Sequence, residues 1–376
     1  MRILKTSAAV FLLATLGGCS AVNPYYDPAK PHHTAEGFKN NYIATVSKGF
    51  GELVRWQIER REQGVPRPPQ QATPVQAPDL AAIKSYTSGT AAQPRTPQLT
   101  WIGHASMLVQ AGGLNVLTDP VFSERASPVQ FIGPKRAQPP GVALPDLPHI
   151  DVVLISHNHY DHLDKAAVQA IARQSQAAGT TTLFIVPLGL KAWFADLGIS
   201  NAVELDWWDK YFLRGVEFNF TPVQHWSARG LGDRSQTLWG GYAVFAPDFQ
   251  WYFSGDTGYS KDFADTLARF ADRQQPGQGG GFDLALIAVG AYEPRWFMKE
   301  QHVNPAEAVQ VHKDLHAKRS VGVHWGTFEL TDESLDQPPK DLATAAKAQN
   351  LKDGEFTVMA IGETRVLPAR PGADKP

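Results

Sequence analysis

The chain has 376 residues, of which 43% are hydrophobic and 19% charged, and its formal net charge is -2. This near-neutral balance supplies no bulk positive charge for a polyanion, which argues against a nucleic-acid partner. The single cysteine excludes an intrachain disulfide, a cysteine-rich zinc site and an iron–sulfur cluster. A chain of this length can bury a large core without such crosslinks.

Residues 1–18 have the pattern of a secretory signal. Two basic residues precede an apolar run at 8–16, which is too short for a membrane-spanning helix because such a helix needs about 20 residues. The sequence LGGC at 16–19 resembles the lipobox of bacterial lipoproteins, and this resemblance implies cleavage before Cys19 and lipidation of its sulfur. Since Ser20 follows rather than aspartate, we expect a lipid-anchored protein of the bacterial cell envelope, on the periplasmic face of the outer membrane. An ordinary signal peptide with an incidental cysteine is the alternative.

Residues 19–98 are predicted to form a tether and a proline-rich wrapping arm rather than an independent domain. Apolar residues recur at intervals of three and four between 37 and 61, a spacing that predicts a helix. Seven prolines between 62 and 98 predict an extended segment.

From Leu99 onward the pattern changes to short apolar runs that alternate with amphipathic stretches. We expect a mixed α/β domain over 99–368, followed by a disordered tail at 369–376. The predicted strands are 106–110, 114–118, 151–156, 181–187, 216–221, 242–245, 250–254, 283–289 and 320–324. The predicted helices are 164–176, 191–197, 261–270 and 305–316. The last helix begins with Asn304, Pro305 and Glu307, a variant of the capping box.

The strongest chemical signal is the sequence HNHYDH at 157–162, directly after a predicted strand. Neutral imidazole and carboxylate are the ligands that zinc binds when thiolate is absent. His225, Asp256 and His324 each follow another apolar strand, at the edge where α/β proteins usually build their sites. We therefore expect one metal centre, with these candidate ligands: His157, His159, Asp161, His162, His225, Asp256 and His324.

This pattern resembles the metallo-β-lactamase superfamily, whose fold is an αββα sandwich of two mixed β-sheets flanked by helices. The resemblance implies two metal sites that share a bridging carboxylate: the first His157, His159 and His225, the second Asp161, His162 and His324, the bridge Asp256. It implies two Zn²⁺ ions per chain, with iron and manganese as alternatives for such ligands. Classical β-lactamases of this superfamily commonly place a cysteine in the second site, so the His/Asp set suits phosphoesterases and lactonases better.

Further motifs narrow the resemblance to one family. They are WIGHAS at 101–106, LTDP at 117–120, ELDWW at 204–208, GDTGY at 255–259 and GAYEPRWFM at 290–298. Across about 99–340 the chain resembles the N-acylphosphatidylethanolamine-hydrolysing phospholipase D family. The resemblance implies a phospholipid substrate, cleaved on the headgroup side of its phosphodiester to N-acylethanolamine and phosphatidic acid.

Asp256 and Asp161 are the candidate catalytic residues. The ligand pattern and the resemblance together imply that a hydroxide between two metals attacks phosphorus, with Asp256 orienting it. Tyr160, Gln301 and His302 are candidate substrate residues, although packing for the tyrosine and helix capping for the other two are alternatives. His104 is interpreted as a supporting or core residue rather than a metal ligand.

Two other classes of function remain open on the sequence alone. One is a lactonase or sugar-phosphate hydrolase on the same scaffold, and the other is a non-enzymatic lipoprotein with a degenerate site. A soluble polar substrate predicts a basic pocket poor in aromatic residues, whereas a lipid predicts an apolar channel beside the metals. The partners we expect are a phospholipid and the membrane that holds lipidated Cys19; a homodimer is compatible with the sequence.

Overall fold

The computed structural model describes residues 23–43, 48–88, 96–276 and 280–370. The predicted signal peptide, Cys19 and the predicted tail from 371 onward lie outside these ranges. No helix within them combines the length and the apolar character that a membrane crossing requires.

The described ranges contain sixteen strands and eight helices. The strands are β1 (His33–Thr34), β2 (Gly37–Phe38), β3 (Gln98–Gly103), β4 (Ser106–Ala111), β5 (Leu114–Thr118), β6 (Val152–Leu154), β7 (Leu183–Pro187), β8 (Ala202–Leu205), β9 (Lys210–Leu213), β10 (Val216–Thr221), β11 (Gly241–Phe245), β12 (Gln250–Phe253), β13 (Leu284–Ala288), β14 (Ser320–Val323), β15 (Phe356–Thr357) and β16 (Thr364–Val366). The helices are α1 (Phe50–Gln63), α2 (Leu80–Ser88), α3 (Lys165–Ala177), α4 (Lys191–Asp196), α5 (Asp262–Arg269), α6 (Arg295–Met298), α7 (Pro305–Asp314) and α8 (Gln337–Ala348).

Two seven-stranded mixed sheets face each other across the main core. The first has the order β16-β3-β4-β5-β6-β7-β8, antiparallel up to β5 and parallel from β5 to β8. The second has the order β15-β14-β13-β12-β11-β10-β9, parallel from β15 to β12 and antiparallel beyond it. The expected αββα sandwich of two mixed sheets is therefore confirmed.

Successive side chains along a strand point to opposite faces of the sheet and contribute to two hydrophobic cores. In β6, Val152 and Leu154 pack between the sheets with Phe218 and Trp251 of the second sheet. Val153 points the other way, into a smaller cluster that includes residues of α3 and α4. Because both faces of such a parallel strand are buried, its successive residues are all apolar and its sequence is a continuous apolar run.

The predicted elements of the hydrolase domain are all present. The nine predicted strands and four predicted helices between 106 and 324 occur with ends within two residues of those expected. The predicted cap of α7 is also confirmed, since the Asn304 side chain accepts from the Glu307 backbone and the Glu307 side chain accepts from the Asn304 backbone. Patterning therefore predicted the central strands of both sheets, whereas these elements were not predicted: β3, β8, β9, β15, β16, α6 and α8.

The N-terminal arm differs from the prediction in two places. The helix predicted over 37–61 begins only at Phe50, because Gly37 and Phe38 pair with β1 and Phe38 donates its backbone N–H to Ser235. The proline-rich segment contains helix α2, which the composition did not predict. At the other end, Arg370 is buried and its guanidinium is paired with Asp283, so ordered structure continues two residues past 368.

The described parts of the arm pack against the body of the protein. Lys30, His32 and His33 all contact the buried carboxylate of Asp206, with the two imidazole nitrogens 2.7 and 3.0 Å from its oxygens. These contacts fix the start of the arm on the ELDWW motif, directly after β8 of the first sheet.

Candidate metal centre

The predicted ligands converge from strands of both sheets. The loop 157–162 follows β6 of the first sheet. His225, Asp256 and His324 come after β10, β12 and β14 of the second sheet. The structure thus brings the whole predicted ligand set to one end of the sandwich, and the strand-end argument made from the sequence has a geometric basis.

Unusual backbone conformations aim several of these side chains. His104, Asp119 and His324 have φ values of 53°, 33° and 62°, a region that costs a non-glycine residue about 1–3 kcal/mol. At Gly255 φ is +55°, and a Cβ there would lie 2.6 Å from Cβ of Ser156. Glycine therefore lets the turn after β12 approach the ligand loop closely enough for Asp256 to enter it.

The first group consists of His157, His159 and His225. Nδ1 of His159 lies 2.8 Å from Nε2 of His157 and 3.4 Å from Nε2 of His225. Tetrahedral zinc with Zn–N bonds of about 2.0–2.1 Å places its ligand nitrogens about 3.3 Å apart, close to these separations. The remote nitrogens are held by Ser156 Oγ at His157, 2.9 Å, and by the carbonyl of Gln301 at His225, 2.9 Å.

The second group is built around the carboxylate of Asp161. Its Oδ2 lies 3.0 Å from Nε2 of His104, 3.2 Å from Nε2 of His324 and 3.5 Å from Nε2 of His162. Nδ1 of His162 is fixed by Oδ2 of Asp119 at 2.6 Å, the partner that a metal-ligating imidazole ordinarily has behind it.

Asp256 lies between the two groups. Its Oδ2 is 3.1 Å from Nε2 of both His162 and His324. The same oxygen is 3.9 Å from Nε2 of both His157 and His225. This is the placement expected for a carboxylate that bridges two cations.

Burial and charge give the two groups different protonation. Burial lowers the pKa of His159 to about 4 and that of His225 to about 3, so both imidazoles are neutral near pH 7. Burial also lowers the pKa of His324, but the carboxylates of Asp256 and Asp161 outweigh it and raise this pKa to about 9. For Asp256, burial raises the pKa, but the surrounding imidazoles outweigh that effect and hold it well below its usual range.

The donor set fits divalent metal ions. Buried atoms that have no hydrogen-bond partner include Nε2 of His162 and Oδ1 of Asp256. An unpaired buried polar atom costs about 1–3 kcal/mol, which a cation bound to these lone pairs would remove. His162 Nε2 lies 3.1 Å from Asp256 without hydrogen-bonding to it, as expected of two ligands directed at a common point.

Two residues of the centre were not recognised from the sequence. His104 was interpreted as a supporting residue, yet it belongs to the second potential ligand group together with Asp161, His162 and His324. Asp119 received no role, although it holds both His162 and the backbone N–H of Ser156, the latter at 2.7 Å. The signal was present in the WIGHAS and LTDP motifs, where a polar residue follows a buried strand.

A cavity of about 440 Å³ opens above the two groups. Its walls include the predicted substrate residues Tyr160, Gln301 and His302. Tyr160 donates its hydroxyl to the carbonyl of Arg229 at 2.9 Å, and Gln301 Oε1 accepts from the Trp226 indole at 2.8 Å. Nδ1 of His302 lies 3.9 Å from Oδ2 of Asp256.

Comparison with known proteins agrees with this centre. A sequence profile described as "Beta-lactamase superfamily domain" matches residues 114–325. The chain is 42% identical over 276 residues to N-acyl-phosphatidylethanolamine-hydrolyzing phospholipase D 1 of Caenorhabditis elegans, covering 70% of this chain and 74% of that protein. The chain belongs to this phospholipase D-like family of the metallo-β-lactamase superfamily. It is a metal-dependent hydrolase, and the non-enzymatic alternative is set aside.

Other members of the family and solved structures extend the comparison. An uncharacterized protein of Mycobacterium tuberculosis is 39% identical over 346 residues, covering 90% of this phospholipase D-like chain and 86% of that one. The isothiocyanate hydrolase from Delia radicum gut bacteria has a TM-score of 0.55 at 22% identity, over 72% of this chain and 99% of that one. A possible metal-dependent hydrolase from Veillonella parvula has a TM-score of 0.56 at 18% identity, over 72% and 100%. At such identities these two structures support the fold alone.

Proposed function

We propose that this hydrolase cleaves N-acylphosphatidylethanolamine-like phospholipids on the headgroup side of phosphorus, giving N-acylethanolamine and phosphatidic acid. The observation that carries the proposal is the position of Asp256, between two histidine groups at the base of a cavity with an apolar wall. Its relatives in Caenorhabditis elegans and Saccharomyces cerevisiae are both named for this reaction.

The lining of the cavity suits a lipid that carries one negative charge. Apolar and aromatic side chains provide most of the wall, among them Trp56, Phe297 and Met298. Lys48 and Arg234 are the lysine and arginine in the lining, and cations there favour a phosphodiester anion. A sugar phosphate would call for more basic groups and fewer aromatic ones, so the lining favours the lipid.

The residues of the centre would hold two divalent cations, three side chains for each. His157, His159 and His225 would hold one divalent cation through neutral imidazoles, and Asp161, His162 and His324 a second. Two such cations, zinc by preference with iron and manganese as alternatives, would lower the pKa of a water between them and neutralise the phosphoryl oxygens.

Asp256 and Asp161 are the proposed catalytic carboxylates. Oδ1 of Asp256 is buried and has no hydrogen-bond partner, so it is placed to orient the attacking water toward phosphorus. Asp161 keeps His104 and His324 at fixed separations, and so maintains the second group as charge develops.

The proposed substrate would be reached at a membrane. Phe50, Leu53, Val54 and Ile58 of α1 are exposed, and Leu53 also lines the cavity. An exposed apolar helix face at a cavity entrance suits contact with acyl chains. With a lipid on Cys19, this face would rest on the periplasmic surface of the outer membrane.

Replacing the anchor tests the localisation separately from the chemistry. Cys19→Ser should move the protein from the membrane fraction to the soluble fraction while its metal content stays unchanged, because the ligand groups within the described residues consist of histidine and aspartate. Retention of Cys19→Ser in the outer membrane would contradict the lipid anchor and leave the proposed reaction intact.

One incubation tests the proposed reaction. Purified protein is given N-acylated phosphatidylethanolamine, plain phosphatidylethanolamine or a lactone, each with and without a chelator. We expect N-acylethanolamine from the first substrate only, and none after chelation. Diacylglycerol as the product would place the cut on the other side of phosphorus, and hydrolysis of the lactone alone would favour the lactonase alternative.

A further inference from the structure

The buried side-chain amide of Asn40, in the N-terminal arm, forms two hydrogen bonds with the backbone of His225, a predicted metal ligand. Asn40 donates from Nδ2 to the carbonyl of His225 at 2.9 Å, and its Oδ1 accepts from the backbone N–H of the same residue at 2.9 Å. The indole N–H of Trp239 also donates to Oδ1, at 3.2 Å. Both Asn40 and His225 are buried, so water does not replace these bonds.

The two hydrogen bonds from Asn40 satisfy the backbone of His225 as pairing with a neighbouring strand would. β10 ends at Thr221 and Gln224 pairs with Gly258 in an isolated bridge, but the backbone of His225 is bonded to the side chain of Asn40 instead. A buried backbone N–H or C=O without a partner is costly, and Asn40 satisfies one of each. Its amide therefore defines where the Cα of His225 sits.

The imidazole of His225 is fixed from the opposite side. Nδ1 donates to the carbonyl of Gln301, which directs Nε2 toward His159 and Asp256. With the backbone held by the arm and the ring held by Gln301, few movements of Nε2 remain. Loss of either support would enlarge the space that Nε2 samples.

The arm itself is anchored independently on both sides of Asn40. Lys39 donates its backbone N–H to His32 at 2.9 Å, and His32 is paired with Asp206. On the other side, Nδ2 of Asn41 donates to Oδ1 of Asp262 at 2.8 Å. Asn40 is thus carried by a segment that is attached at two separate points, to Asp206 after β8 and to Asp262 of α5.

We propose that Asn40 is a positioning residue for His225, and that the arm over 23–43 is thereby a working part of the metal centre. The inference rests on the proposed metal-binding role of His225, and it does not depend on which lipid is hydrolysed. Partners that orient metal ligands typically change metal affinity by about 10–100-fold when removed.

Zinc competition with a chromogenic chelator on the full chain tests the proposal. Asn40→Ala should lower the zinc affinity of one of the two binding steps by about 10–100-fold and leave that of the other step unchanged. Asn40 is not among the described residues that line the cavity, so kcat at limiting zinc should fall with little change in KM, and excess zinc should restore it. A structural defect alone would not be reversed by zinc.

Asn41→Ala is the matched control, since it removes a neighbouring amide bond of the same arm that does not touch His225. It should keep wild-type zinc affinity. Equal losses in both variants would show that only docking of the arm matters, and unchanged affinity in Asn40→Ala would overturn the proposal directly.

Two further measurements, on Asn40→Ser and on the wild-type chain, separate the remaining outcomes. If Asn40→Ala does not fold, Asn40→Ser is measured instead, since a smaller polar side chain leaves room for a bridging water and should give an intermediate zinc affinity. Wild-type affinity in Asn40→Ser would count against the proposal. A wild-type chain that binds no zinc, iron or manganese would instead refute the proposed metal-dependent function.

Discussion

The two halves of the metal centre use the same side chain in opposite electrostatic settings. In the first group, burial keeps His159 and His225 neutral, and hydroxyl or carbonyl oxygens hold the remote nitrogens of His157 and His225. In the second, carboxylates surround the imidazoles and raise the pKa of His324 to about 9 against the effect of burial. The first half therefore offers neutral donors, whereas the second brings the negative charge that balances a cation.

The shared carboxylate should show the largest effect, because it contributes to both halves. Asp256→Asn removes a charge that lies 3.1 Å from His162 and His324 and 3.9 Å from His157 and His225. We expect kcat to fall by about 10³-fold or more, with metal content reduced and the circular dichroism spectrum unchanged. Activity within tenfold of wild type would show that Asp256 does not bridge the halves.

Removing one ligand from each half should separate them. His225→Ala and His324→Ala are each expected to lower the metal content from two ions to one per chain, and activity by about 10²-fold. Elemental analysis of the purified variants measures the first quantity. Loss of both ions in either variant would mean that the halves bind metal as one unit and would weaken the comparison between them.

The support behind the second half is expected to matter less than its ligands. Asp119→Asn removes the charge that holds Nδ1 of His162 at 2.6 Å. Metal affinity of one step should fall by about 10–100-fold, with the other step unchanged. Calorimetric titration resolves the two steps, and a change in both would imply that Asp119 supports the first half as well through Ser156.

His104 should give the smallest change. Nε2 of His104 is 3.0 Å from the Asp161 carboxylate, which also lies 3.2 Å from Nε2 of His324. We expect the contact between Asp161 and His324 to persist when His104 is removed. His104→Ala is expected to lower activity by about tenfold with two metal ions still bound. A drop to one ion would identify His104 as a ligand in its own right and change the composition of the second half.

The sequence predicted the five strands β10 to β14 of the second sheet, and the ligands, because the relevant signals are local. His157, His159, Asp161 and His162 lie within six residues, and each remaining ligand directly follows a buried strand. The position of a strand end can be inferred from apolar patterning alone. Seven ligands at one edge therefore follow from the chain without knowledge of its tertiary contacts.

The contributions of the arm and of His104 could not be predicted in the same way. Asn40 contacts His225 across 185 positions, and nothing in the local pattern marks it. His104 reaches Asp161 from a positive φ that its neighbours in the tertiary structure stabilise, including the bond from the His324 backbone to its carbonyl. The helix predicted from Gly37 failed for a related reason, because pairing with β1 outweighed the periodicity.

Hydrolysis in water enriched in ¹⁸O tests the central claim most directly. If water attacks phosphorus and the headgroup-side bond breaks, mass spectrometry should find one ¹⁸O atom in phosphatidic acid and none in N-acylethanolamine. Chelation should abolish both products together. Label in N-acylethanolamine, or diacylglycerol in place of phosphatidic acid, would contradict the account.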